Sequence, residues 1–440
     1  VVPRHQPGRS AAGARAADIL RRVPSSQQKP LPGPSTRSGA APVRRHPSRA
    51  GTAGLAALFA VVVAQSVTAA VLPATTRQLG LADWQAGAVT SASAAVVVLT
   101  SPAWGRRADA RGSRPVLLAA ALAALLGVLG FAAVLAAVGT VPAGVAWGVL
   151  LGVRGLLVGT AVAAVGPAAQ AQLVADDPHG RVGWIARAGA VRGLGTMAGA
   201  GLAAGLGAVA ASLPVLAAAV VLAGAVAWVL GARRRPPGLA AAERPGPAGA
   251  VRTGAGALRD PGVRAAVTAS AGVFLAMALV QGSVGFLVQD RYGLTAGRAT
   301  ALTGILLLVA GLGSLVAQGL LVPRLGWAPW RLVRAGATVL VTAVAVYALP
   351  VPAPVLVAVA LVFGAGVGAA AAGCTSAASV AVGSGAQGDV AGLVNAVNAL
   401  TFVVGPALAA AGYGWHPVVP AALALAGGSA ALLTRAQVRR

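Results

Sequence analysis

The sequence predicts an all-α integral membrane protein, with twelve transmembrane helices in two six-helix bundles. Composition, the spacing of the apolar runs and the placement of basic residues carry that prediction. Apolar residues make up 57% of 440 positions, charged residues 10%, and the mean hydropathy is +0.80, whereas a soluble domain carries about 25% charge. A chain so poor in charge cannot coat a water-facing surface of this size. Twelve spans of about 20 residues need about 240 positions, which the chain supplies. Function is therefore to be sought in transport before catalysis.

Residues 1–53 hold ten Lys or Arg against one acid, Asp18, among Pro, Ser and Gln without an apolar period. Such a segment cannot bury enough apolar surface to offset ordering, so a disordered basic tail is expected. It lacks the apolar h-region of a signal peptide before Gly54. Its first residue is Val, as a literal reading of a GTG start codon would give. Apolar runs then predict spans near 54–73, 84–104, 115–138, 144–172, 184–208, 212–231, 263–286, 299–321, 331–350, 354–379, 388–412 and 417–434. The long polar break at 232–262, rich in Pro, Gly and Arg, reads as a flexible linker between bundles at 54–231 and 263–434; residues 435–440 form a short basic tail.

Basic residues test this map, because Lys and Arg gather on cytoplasmic loops. Of the 34, 28 fall on the side shared by the termini and the linker, and three, Arg77, Arg291 and Arg298, on the other. Both termini are thus expected in the cytoplasm. The net charge of +25 reflects this placement and a preference for Arg, Lys29 being the one lysine, as in a high-GC bacterial genome. It does not point to nucleic acid: aromatic residues are only 4%, too few for base-stacking platforms. One cysteine, Cys374, excludes a disulfide framework, and four scattered His lack metal-ligand spacing. With no nucleophile–base set and no Gly-rich nucleotide loop, neither an enzyme nor a cofactor is expected.

The halves echo one another. Gly105, Gly112 and Pro115 lie 214 residues before Gly319, Gly326 and Pro329, each set between the second and third spans of its half. In the first half this loop reads Gly105-Arg-Arg-Ala-Asp109-Ala-Arg111-Gly112-Ser-Arg114. Gly105 lets a neighbouring helix approach closely, and Asp109 at a span end can face Arg partners or a helix N-terminus.

On these residues the chain resembles the major facilitator superfamily over about 54–434. The loop is similar to the family signature of a Gly, an Asp four on, a Gly three later and then basic residues, departing from it at Ala110 and Ser113. The resemblance implies that Gly105, Asp109, Arg111, Gly112 and Arg114 form a conformational latch; an ordinary basic loop with an incidental acid is the plainer alternative. Arg154 lies about mid-membrane in span four, where a guanidinium costs about 2.5–3.5 kcal/mol on insertion scales. The resemblance associates such an Arg with proton coupling, usually with a Gly four residues on, here Gly159 five on. Contact with an anionic substrate and snorkelling to the interface are the other readings. Span five carries Gly195 and Gly199, then Gly201 and Gly205, faces for close helix packing. They are similar to an antiporter gating motif, but its Gly-Pro is Gly199-Ala200 here; Gly405-Pro406 occurs in span eleven.

Polar side chains inside spans point to the substrate path, since facing lipid would leave them unsatisfied. Gln65, Gln281, Asn395 and Asn398 are the candidates for a cavity, with Gln318 and Thr401 as further polar positions. All nine acids, Asp18, Asp83, Asp109, Asp176, Asp177, Glu243, Asp260, Asp290 and Asp389, fall in the tail, loops or span ends on this map. Proton coupling would then fall to Asp109 or another boundary acid, and a neutral, lipophilic or anionic substrate fits better than a polycation. The expectation is a monomeric plasma-membrane secondary transporter working by alternating access, exporting a drug-like or secondary-metabolite compound against protons. An uptake permease for a sugar or organic anion is the alternative.

Overall fold

The computed structural model describes residues 49–176, 181–232, 258–382 and 387–434. The expected basic tail up to residue 48, most of the linker and the C-terminal tail lie outside them. Every regular element among the described residues is helical, and the helices form twelve rods in chain order. The first half holds α1 (Arg49–Gln78), α2 (Asp83–Arg111), α3 (Ser113–Ala136), α4 (Ala143–Leu150, continuing through Leu151–Leu157 to Val158–Asp176), α5 (Arg181–Gly207) and α6 (Ser212–Gly231). The second holds α7 (Pro261–Tyr292), α8 (Ala296–Val316, continuing through Ala317–Leu321 to Val322–Leu325), α9 (Pro329–Ala348), α10 (Ala353–Val380), α11 (Gln387–Trp415) and α12 (Val419–Leu433). Ten are long and apolar enough to cross a membrane; α12 is a shorter apolar helix, and α5 carries Arg181, Arg187 and Arg192 among its glycines.

Local chemistry sets the ends of these rods. Asp260 caps α7, its Oδ1 accepting from the amides of Gly262 at 2.7 Å and Val263 at 3.2 Å, and Pro261 follows where no amide hydrogen is needed. Gly112 ends α2 with φ +86° and Gly326 ends α8 with φ +55°, a backbone region that glycine enters at little cost. The loop echo in the sequence is therefore an echo in structure. Within α1, Thr68, Thr75 and Thr76 are buried and donate to the carbonyls of Ala64, Val71 and Leu72, satisfying hydroxyls that have no water to bind.

Packing repeats with the same order. In the first half α1 packs on α4, α5 and α6, α2 on α4, and α3 on α4 and α6. Each pairing recurs six helices later: α7 on α10, α11 and α12, α8 on α10, and α9 on α10 and α12. The halves meet through α2 with α11 and α5 with α8, contacts that exchange under the same shift. Two six-helix bundles related by a pseudo-two-fold axis result. They share an apolar core that includes Leu117, Phe131 and Leu222 in one half and Leu279, Phe286 and Leu340 in the other.

Candidate transport path and gate

At the face away from the basic loops the halves are tied by ions. Arg77, in the last turn of α1, donates from Nε to Asp83 Oδ1 at 2.9 Å and from Nη2 to Asp83 Oδ2 at 3.0 Å. Its other edge reaches across to α7, with Nη1 bonded to Asp290 Oδ1 and Nη2 to Asp290 Oδ2 at 2.9 Å. The Tyr413 hydroxyl on α11 also donates to Asp290 Oδ2, at 2.9 Å. The Phe286 and Tyr413 rings stack 5.7 Å apart, and the Arg77 guanidinium lies 5.0 Å and 5.8 Å from their centroids. A planar guanidinium can serve two carboxylates and two ring faces at once; an ammonium cannot.

Backbone packing closes the same face. A Cβ on Gly285 of α7 would stand 2.6 Å from Pro73 Cγ on α1, one on Gly304 of α8 2.7 Å from the Ala200 carbonyl on α5, and one on Gly87 of α2 2.6 Å from the Pro406 carbonyl on α11. The Ala407 amide donates to Ser91 Oγ on α2 at 3.0 Å, next to Pro406, which leaves a helix carbonyl without its usual donor. Toward the basic face a Cβ added at Gly189 or Gly193 on α5 or at Gly319 on α8 would meet nothing within 4 Å.

The residues singled out from sequence fall in several places. Gly105 packs loosely on α4, with Pro167 3.8 Å from a built Cβ. Asp109 and Arg111 are exposed at the end of α2. Arg114 is committed within its own half, donating to the carbonyls of Val229 at 3.1 Å and Leu230 at 2.7 Å at the end of α6, where a cation suits the helix dipole. Arg154 sits in the π-helical turn Leu151–Leu157 of α4, only 2% exposed, with Nη1 donating to Ser93 Oγ on α2 at 3.0 Å and Nε without a partner. That burial disposes of the snorkelling reading. Gly195 and Gly199 pack against α1, near the carbonyls of Phe59 and Val63, whereas Gly201 and Gly205 meet nothing within 4 Å. Gly405 lies against Ala278 of α7.

Of the polar candidates, Gln65 is half-buried on α1. Gln281 is exposed, at the mouth of an apolar cavity inside the second half lined by Leu306, Val344, Leu356 and Phe363. Asn395 is exposed on α11, whereas Asn398 accepts from Ser270 Oγ on α7 at 2.8 Å and so joins two helices. Thr401 bonds the Asn398 carbonyl, and Gln318 bonds Ser314. The described acids, Asp83, Asp109, Asp176, Asp260, Asp290 and Asp389, all stand at or near helix ends. Sequence reasoning missed the Arg77, Asp83, Asp290 and Tyr413 cluster. A signal was available: Arg77 and Asp290 are 213 residues apart, the interval that also separates Gly80 and Gly293, the positive-φ glycines that follow α1 and α7.

Two repeated helical bundles tied by ions at one face are an architecture on which secondary transporters are built. The chain belongs to the Major Facilitator Superfamily, whose sequence model matches residues 54–406. It is similar in fold to a crystal structure of a mutant of the nucleoside transporter NupG, with TM-score 0.60 and 13% identity over 87% of this chain and 98% of that one. It is likewise similar to a bacterial homologue of the human lysosomal transporter Spinster in an inward-facing and occupied conformation, with TM-score 0.62 and 16% identity over 87% and 90% of the two chains. No curated protein sequence matches it.

Proposed function

We propose that the protein exports a neutral or anionic small molecule across the plasma membrane in exchange for protons, with both termini in the cytoplasm. The observation that carries the substrate class is electrostatic: no acid lies inside a described span, while Arg154 does. A polycationic solute would find no counter-charge along such a path. Under the proposed orientation the closure at Arg77 and Asp290 is external, so the solute for export would load from the basic, cytoplasmic face. Asp109, with Gly105, Arg111 and Gly112, is the proposed latch of the opposite state, in which the basic face shuts. Gln65, Gln281 and Asn395 are the proposed cavity contacts.

A second reading, uptake of a sugar or organic anion, is favoured by the amides themselves. Gln65, Gln281 and Asn395 offer paired donors and acceptors, which suit a polar solute better than a lipophilic one. Flux in proteoliposomes, measured over a panel of lipophilic drugs, sugars and organic anions with and without an imposed pH gradient, separates the readings. Export predicts gradient-driven movement of a lipophilic or anionic compound toward the acidic side. Movement of sugars alone, indifferent to the gradient, would sink the export reading.

A further inference from the structure

We infer that the turn between α8 and α9 binds the headgroup of an anionic phospholipid. Trp327, Pro329, Trp330, Arg331 and Arg334 line a surface cleft there, on the basic face. The Arg331 guanidinium carbon lies 4.6 Å from the Trp327 ring centroid, a cation–π contact that uses none of its N–H donors. Both arginines are exposed, and among the described residues neither guanidinium donates a hydrogen bond or meets a carboxylate.

Three arginines at other helix ends are spent: Arg114 on the carbonyls of α6, Arg291 on the carbonyls of Tyr347 and Ala348, and Arg77 on two carboxylates. The matching loop of the first half repeats the cation–π contact, with Arg107 4.8 Å from the Trp104 ring centroid, but has one tryptophan and commits its Arg114. The cleft of the second half differs in setting two uncommitted guanidinium groups beside two tryptophans, Trp327 and Trp330.

The occupant follows from what surrounds the charges. Leu320, Leu321 and Leu325 are exposed on the α8 side, and Val339 is exposed on α9 beyond Arg334. A ligand with its phosphate on the arginines and acyl chains along this apolar surface satisfies both, and Trp is the residue that favours the headgroup level. A choline headgroup would set a second cation against the arginines, whereas a phosphatidylglycerol headgroup would not. This inference is independent of the transported solute.

Native mass spectrometry of the full chain in detergent, titrated with phosphatidylglycerol or phosphatidylcholine, tests it. The native chain should retain phosphatidylglycerol several-fold over phosphatidylcholine, and Arg331→Gln with Arg334→Gln should abolish that preference. The double Lys variant should keep part of it, so a glutamine variant that fails to fold leaves the test intact. Equal retention of both lipids by the native chain, or preference unchanged in the glutamine variant, would overturn the assignment. Displacement of the lipid by millimolar inorganic phosphate would also overturn it, because the site would then hold a free anion.

Discussion

Arg77 and Arg154 show how differently one residue type can be housed in the same bilayer. Arg77 is surrounded by opposite charge, with Asp83 on its own half and Asp290 on the other. Being partly exposed, each such pair contributes about 1 kcal/mol or less after screening, a strength a carrier can break in every cycle. Arg154 has one hydroxyl partner and an unsatisfied Nε, so its burial costs stability rather than adding to it. A residue kept against that cost points to function. Arg154→Met should therefore leave the Tm of the purified protein unchanged or raised, while transport falls at least tenfold. A lower Tm with unaltered flux would make Arg154 a packing residue.

At the scale of elements, the helices were legible because a membrane span leaves a long apolar signature that local context cannot override. The expected span near 212–231 matches α6 residue for residue, and Gly112 with Gly326 mark the repeated turns as the echo required. The π-helical turn that carries Arg154 was not legible, since one extra residue in a turn changes no composition. Nor was the partner of each glycine. Gly195 and Gly199 have the spacing of a gate, yet they pack inside one half, whereas Gly304, in an unremarked stretch of α8, sits on the seam between halves. A side chain there has no room: Ala204 N and the Ala200 carbonyl stand 2.5 Å and 2.7 Å from a built Cβ. Gly304→Val should separate α5 from α8 and weaken the closed face by about 1–3 kcal/mol. It should raise labelling of a cysteine placed at Thr300 while leaving helicity intact; unchanged labelling would mean that the seam tolerates the added bulk.

Across the whole molecule, the pseudo-two-fold relation explains why the cross-half ion cluster lies where it does. Arg77 and Asp290 occupy corresponding last turns of α1 and α7, so the axis that relates the halves brings them together. Their pairing depends on a contact between residues 213 apart, which spacing in sequence suggests only once the repeat is known. The boundary placement of acids, by contrast, was plain from the sequence and holds throughout the described residues. Rocking of two rigid bundles demands that one face open as the other shuts. Paired spin labels on a Cys374→Ala background, at Gln78 with Thr295 on one face and at Ala110 with Gln387 on the other, report both distances in one sample set. Asp290→Asn, which removes the cross-half ion pair, should lengthen the first distance and shorten the second. Both distances changing in the same direction, or neither changing, would contradict the account.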